Sequence, residues 1–114
     1  MPKETGWEYL LSLHSTVFFV DESLGYWVKF VANPVPVTQE MPHGVSYSIT
    51  LHNRRGVRIL GFDNAHRIGK QPKLDHWHKT AADTGRAYPL ESAEQLLADF
   101  WREVDRIVKE SHDE

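Results

Sequence analysis

Two short clusters gather side chains that titrate, ligate metals or bind phosphate: Phe62-Asp63-Asn64-Ala65-His66 and Asp75-His76-Trp77-His78-Lys79. In extended backbone residues i and i+2 share a face, so His76 and His78 present both imidazoles to one site while Trp77 turns the other way, into the core. Two imidazoles titrating near neutrality suit the paired proton transfers of RNA cleavage. One takes the 2′-hydroxyl proton, the other protonates the leaving 5′-oxygen, and Lys79, Arg67, Arg86 and Lys73 supply the charge that holds the phosphate. Asp63 orients a histidine, and Asp63 and Asn64 stand where a strand ends, held rigidly yet near solvent. This chemistry needs no cofactor.

The same residues admit two other readings. His76 and His78 with His66 or Asp63 form a donor set that suits zinc, nickel or iron, since neutral imidazole is a borderline ligand and a carboxylate can complete the shell. Alternatively, Asp63-Asn64 caps a turn through side-chain to backbone hydrogen bonds and the histidines are half-buried residues bonded to carbonyls. Joint occurrence favours a site. Three histidines, an Asp-Asn pair and five basic side chains from Arg67 to Arg86 fall in one irregular stretch.

Charge sharpens this. The 114 residues carry a net charge of -3, yet residues 1–51 carry -3, residues 52–90 carry +5 and residues 91–114 carry -5. Four of the seven histidines lie in the basic segment. Such an asymmetry points to a polyanionic ligand, or to pairing of the basic segment with the protein's own acidic helix. With no cysteine, disulfides, thiolate catalysis and Cys-ligated zinc are excluded. A glycine-rich phosphate loop and a serine nucleophile elbow are also missing. No apolar run approaches the ~20 residues of a membrane span, and the N-terminal residues do not lead into a signal-peptide apolar region, so the expectation is a cytoplasmic protein with no membrane contact.

The elements that must position the clusters follow from periodicity. One domain over residues 1–114 is expected from length. After a short helix over 6–13, Thr16–Val20 and Tyr26–Ala32 read as a hairpin, with Tyr26, Val28, Phe30 and Ala32 on one face. Asn33-Pro34-Val35-Pro36 should interrupt pairing, because proline lacks the ladder donor. Val45, Tyr47, Ile49 and Leu51 then alternate with Ser46, Ser48, Thr50 and His52, and Asn53-Arg54-Arg55-Gly56 turns the chain into a fourth strand over 57–62. A loop over 63–89 precedes a helix over 92–110, with Ser92 as N-cap and an apolar stripe from Ala93 to Val108. The predicted class is α+β: a two-layer domain, a four-stranded antiparallel meander covered by the C-terminal helix. His52, beside Arg54 and Arg55, reads as part of a solvated turn, with contact of this hairpin tip to phosphate as the alternative; Tyr47 and Tyr88 are either strand and core aromatics or candidates to touch phosphate, and Trp27 reads as packing.

Gly61-Phe62-Asp63-Asn64-Ala65-His66, Asp75-His76-Trp77-His78 and Ser92-Ala93-Glu94-Gln95-Leu96-Leu97-Ala98-Asp99-Phe100-Trp101 resemble the TumE-like family of bacterial toxins, over roughly residues 43–110. The resemblance implies the toxin component of a toxin-antitoxin pair, neutralised by a partner that is often a DNA-binding antitoxin, and an activity directed at RNA. Asp63, Asn64, His76 and His78 are the matching positions, with His66 close by. This chain has Phe62 where relatives carry tyrosine, and His76-Trp77-His78-Lys79 where a denser histidine run occurs, which leaves a two-histidine mechanism. The reading is therefore a metal-independent endoribonuclease; its rivals are a non-enzymatic module that binds nucleic acid or the antitoxin, and a His/Asp metal-dependent enzyme. The oligomeric state, with a homodimer among the options, is left open.

Overall fold

The computed structural model describes residues 6–39, 41–64, 76–78, 86–88 and 90–113, with residues 76–78, 86, 87 and 113 described by backbone alone. Its elements are α1 (Trp7–Ser12), β1 (Thr16–Asp21), β2 (Tyr26–Pro34), β3 (Val45–His52), β4 (Arg58–Asp63), β5 (His76–His78), β6 (Arg86–Ala87) and α2 (Ala93–Asp113). The strands form one antiparallel sheet in sequence order, β1-β2-β3-β4-β5-β6. The four-stranded meander and its covering helix are as the sequence pattern predicts.

Two details differ. The stretch expected to be a loop contributes β5 and β6, which extend the sheet beyond β4. Strands of three and two residues are too short to reveal a period, but β4 carries a row of donors and acceptors that a neighbouring strand satisfies. Pro34 is the last residue of β2 and pairs with Val45. The Val35 N–H donates to the Gly44 carbonyl at 2.9 Å, so the position before it is a pair without ladder bonds to β3. The nitrogen of Pro34 therefore faces the side where β1 no longer runs, since β1 pairs only as far as Thr16 with Phe30. No ladder bond is lost there.

Alternation in β3 is strict: Val45, Tyr47, Ile49 and Leu51 are buried, and the intervening residues are half-buried. Val28, Phe30 and Ala32 of β2 and Leu60 and Phe62 of β4 join the buried face. Against it pack Trp7 and Leu10 of α1 and Leu96, Phe100 and Val104 of α2. Phe100 is fully buried and meets the edges of Phe30 and Phe62 at centroid distances of 5.8 and 6.1 Å.

The helix start follows its sequence signal. Ser92 Oγ accepts the Gln95 N–H at 3.0 Å, and Gln95 Oε1 reaches back to the Glu91 N–H at 2.9 Å, one residue earlier than in the usual reciprocal box. The far end of α2 is tethered to the first hairpin: Ser111 Oγ bonds with the Tyr26 hydroxyl at 2.7 Å, and His112 Nε2 lies 2.5 Å from Asp21 Oδ2. Hydrogen bonds from the Ser23 hydroxyl, His112 and the Leu24 N–H hold the Asp21 carboxyl at about 2, against an ordinary 3.8. What this tether contributes is present above the ordinary carboxylate range and is lost as pH falls through the lowered value.

The Phe100→Ala variant removes the ring on which the two layers meet. It is expected to lose about 3–5 kcal/mol in chemical denaturation, whereas Ser92→Ala, which deletes only the cap, costs about 1 kcal/mol.

Candidate functional site

Because both helices lie on one face of the sheet, the register determines what the other face displays. Three cross-strand rows follow from the pairing. The first runs Phe19, Trp27, His52, Arg58; the second Val17, Lys29, Thr50, Gly61, His78; the third Val31, Ser48, Asp63, His76. Each row interleaves with a row on the helix side, and in one of these Phe62 pairs with position 77. Among the described residues no helix covers this second face.

Asp63 is thus at the position paired with His76, and Gly61 at the position paired with His78. Asp63 itself is buried. The side chains of His76, His78 and Arg86 lie outside the described residues, as do His66, Arg67, Lys73 and Lys79 entirely. The metal-ligand set of His66, His76, His78 and Asp63 falls largely in that region; among the described residues no three His, Asp or Glu side chains come together to hold an ion.

Asn64 is separated from Asp63 by the pleat. Its backbone N–H donates to the Tyr47 carbonyl at 3.3 Å, its Oδ1 accepts the Tyr47 N–H at 2.9 Å, and its Nδ2 donates to the Val45 carbonyl at 2.8 Å. The carboxamide replaces a strand where β4 ends, satisfying β3 groups that would otherwise be buried unpaired. The Asp-Asn pair therefore divides its work: Asn64 pins the strand end, and Asp63 occupies the face that bears positions 76 and 78.

The sequence pattern missed the other half of this face. Trp27 stacks on His52 with ring centroids 4.1 Å apart and planes 9° from parallel, so Trp27 is not a core tryptophan and His52 is not a solvated turn residue. His52 Nδ1 lies 3.2 Å from the Gly56 carbonyl oxygen and Nε2 lies 2.8 Å from Thr50 Oγ1. A carbonyl only accepts, so Nδ1 carries the proton and Nε2 accepts from the Thr50 hydroxyl. Partial burial, together with the charges of Lys29 and Arg58, pushes the His52 pKa below its ordinary 6.5. Arg58 lies across Gly61: a Cβ at that glycine would stand 3.2 Å from Arg58 Cδ. Its absence lets the Arg58 side chain lie over the glycine, with Nη1 3.4 Å from the same point. The signal available in the sequence was the polar alternation Ser48, Thr50, His52 with one glycine opposite it in β4; Lys29 had none, because it stands alone in an apolar strand.

Other candidates are otherwise engaged. Arg54 packs over Gly25 and its Nη2 donates to the Ser23 carbonyl at 2.7 Å, clamping the two hairpin tips together. Tyr47 is buried in the core. The Tyr88 hydroxyl donates to Asp99, and both residues line a 230 Å³ cavity beside Phe62 and α2.

Two measurements check this site. Replacing the Asn64 amide by a carboxylate, Asn64→Asp, sets an acceptor against the Val45 carbonyl and is expected to lower stability by about 1–3 kcal/mol in denaturant titrations. The His52 ring protons should titrate below 6.5 by NMR, with Arg58→Gln or Lys29→Gln raising the midpoint. Since the folded state binds the His52 proton less tightly than the unfolded chain, stability should fall as pH drops below about 6.5.

A family model described as Toxin TumE matches residues 8–108, from α1 through most of α2, and so takes in every strand. No curated protein and no solved structure matches the chain.

Proposed function

The chain belongs to the TumE toxin family, and from that premise we propose that it is the toxin component of a toxin-antitoxin pair acting as a metal-independent endoribonuclease. His76 and His78 share the proton transfers: one removes the 2′-hydroxyl proton as that oxygen attacks phosphorus, and the other protonates the departing 5′-oxygen. Asp63 orients an imidazole, Lys79, Arg67, Lys73 and Arg86 bind phosphate, and Asn64 serves as a positioning residue that fixes the end of β4. The partner is an antitoxin that covers or distorts this face.

The observation that carries the reading is the register of β4 against β5, with Asp63 opposite His76 and Gly61 opposite His78. A carboxylate paired with a histidine position supplies an orienting group, beside the small Ser48 and Thr50 and the Arg58 side chain laid over Gly61. No helix among the described residues is long and apolar enough to cross a membrane.

Purified protein incubated with RNA in the presence of a chelator is expected to yield cleavage products. His76→Ala and His78→Ala should each slow cleavage by about 10²–10⁴-fold and relieve growth inhibition. Intact RNA that the protein nonetheless retains at low salt would point to occupancy without cleavage, and loss of activity on chelation would point to a metal held by His66, His76, His78 and Asp63. Variants as growth-inhibitory as the parent would end the two-histidine reading.

A further inference from the structure

The first row of the open face has a gap in it. Trp27 is backed on the β3 side by the His52 ring, whose two nitrogens are both tied down. On the β1 side it borders a groove of 290 Å³ lined by Val17, Phe18, Phe19 and Trp27. Phe19 pairs with Trp27 in the register yet makes no ring contact with it, and Phe19 and Val17 are 57% and 53% exposed. The groove is therefore walled by an indole whose rear face is already stacked and by a phenyl ring open to solvent. Lys29, exposed, is the next residue along β2 on the same face. The first two rows carry Lys29 and Arg58 and no carboxylate.

We propose that this groove receives an unpaired nucleobase of single-stranded RNA, stacked on Trp27 and flanked by Phe19, with Lys29 holding an adjoining phosphate. The proposal rests on the RNA-directed reading above and extends it to a binding subsite distinct from positions 63, 76 and 78. Flat aromatic walls accept any base through its π-face, and a lining whose one side-chain polar atom is the Trp27 indole nitrogen predicts tolerance of sequence. Charge complementarity selects the ligand: an apolar slot beside an exposed ammonium, in rows without acidic groups, matches alternating bases and phosphates. His52 acts as a positioning residue, since locking its ring fixes the indole before the base arrives. The groove and the third row are two steps of i, i+2 apart, about 14 Å along the strands, so one RNA strand can occupy both.

The test uses the wild-type protein and a fluorescein-labelled octamer made of 2′-O-methyl nucleotides, which lacks the hydroxyl needed for cleavage, alongside an octamer of the same backbone without bases. Fluorescence anisotropy should show the base-bearing octamer binding more tightly than the abasic one. Trp27→Leu and Phe19→Ser should each weaken the base-bearing octamer by about tenfold while leaving the abasic octamer unchanged. Lys29→Gln should weaken both and flatten the salt dependence. Phe19 is exposed enough that its replacement leaves folding intact, which a thermal melt verifies. Equal affinity for the two octamers, or a Phe19→Ser variant that binds as wild type does, overturns the subsite while cleavage in the preceding assay leaves the catalytic reading standing. No binding of either octamer at low salt overturns both. A Phe19→Ser variant that loses antitoxin but keeps RNA affinity also overturns it, and assigns the groove to the protein partner.

Discussion

The register of β3 between β2 and β4 is the constraint on which the rest of the molecule depends. Because the side-chain period of a strand is two, a slip of one residue on either side would send Tyr47, Ile49 and Leu51 to solvent and Ser48, Thr50 and His52 into the core. The cost of that exchange is several buried aliphatic and aromatic side chains, each contributing roughly 1.5–3 kcal/mol, which no surface interaction offsets. Both the core under α2 and the composition of the open face are therefore set by one pairing. Asn64 secures its end: three hydrogen bonds to Val45 and Tyr47 carry the ladder on where the backbone of β4 turns away.

That arrangement explains what was readable from the residues. The alternation in β3, the apolar stripe of α2 and the Ser92 cap each encode a local preference that the tertiary structure reinforces, and they specify the meander and its covering helix. Residues 76–78 suit extended backbone, but three residues carry no period, and their pairing with β4 is a fact about the edge of β4. Asp63 and Asn64 illustrate the opposite problem. Adjacent in sequence and chemically alike, they form an apparent unit, yet a strand that continues through residue 63 puts neighbours on opposite faces. Pleat, more than chemical type, decides that only Asp63 shares a face with positions 76 and 78.

Lys29, Trp27 and Arg58 carry no site signal in the sequence for a related reason. Each lies in a strand whose buried residues dominate its pattern, and the charge count assigns Lys29 to the acidic segment over residues 1–51. Only cross-strand pairing brings Lys29 beside Thr50 and His52 beside Arg58. A net charge divided along the chain locates the basic segment but not the basic surface, because a sheet assembles its faces from residues dozens of positions apart.

The open face is also graded across its rows in a way that bears on how a chain would lie on it. Bulk is concentrated in the first row, where the indole of Trp27 and the imidazole of His52 stand against each other, while the middle row narrows to Thr50 and a glycine over which Arg58 lies. On the reading proposed above, a ligand with a continuous backbone and side groups of alternating character lies along these rows. The depressed basicity of His52 belongs to the same design: a protonated imidazole between Lys29 and Arg58 would be repelled by both and would lose the acceptor role toward the Thr50 hydroxyl. Neutral, it stacks on Trp27 without adding charge, and Lys29 and Arg58 are left as the described cations in the first two rows. Polarity therefore increases from the aromatic end of the face toward Asp63: stacking surface and cations make up the exposed end, and the buried carboxylate paired with position 76 lies beyond them.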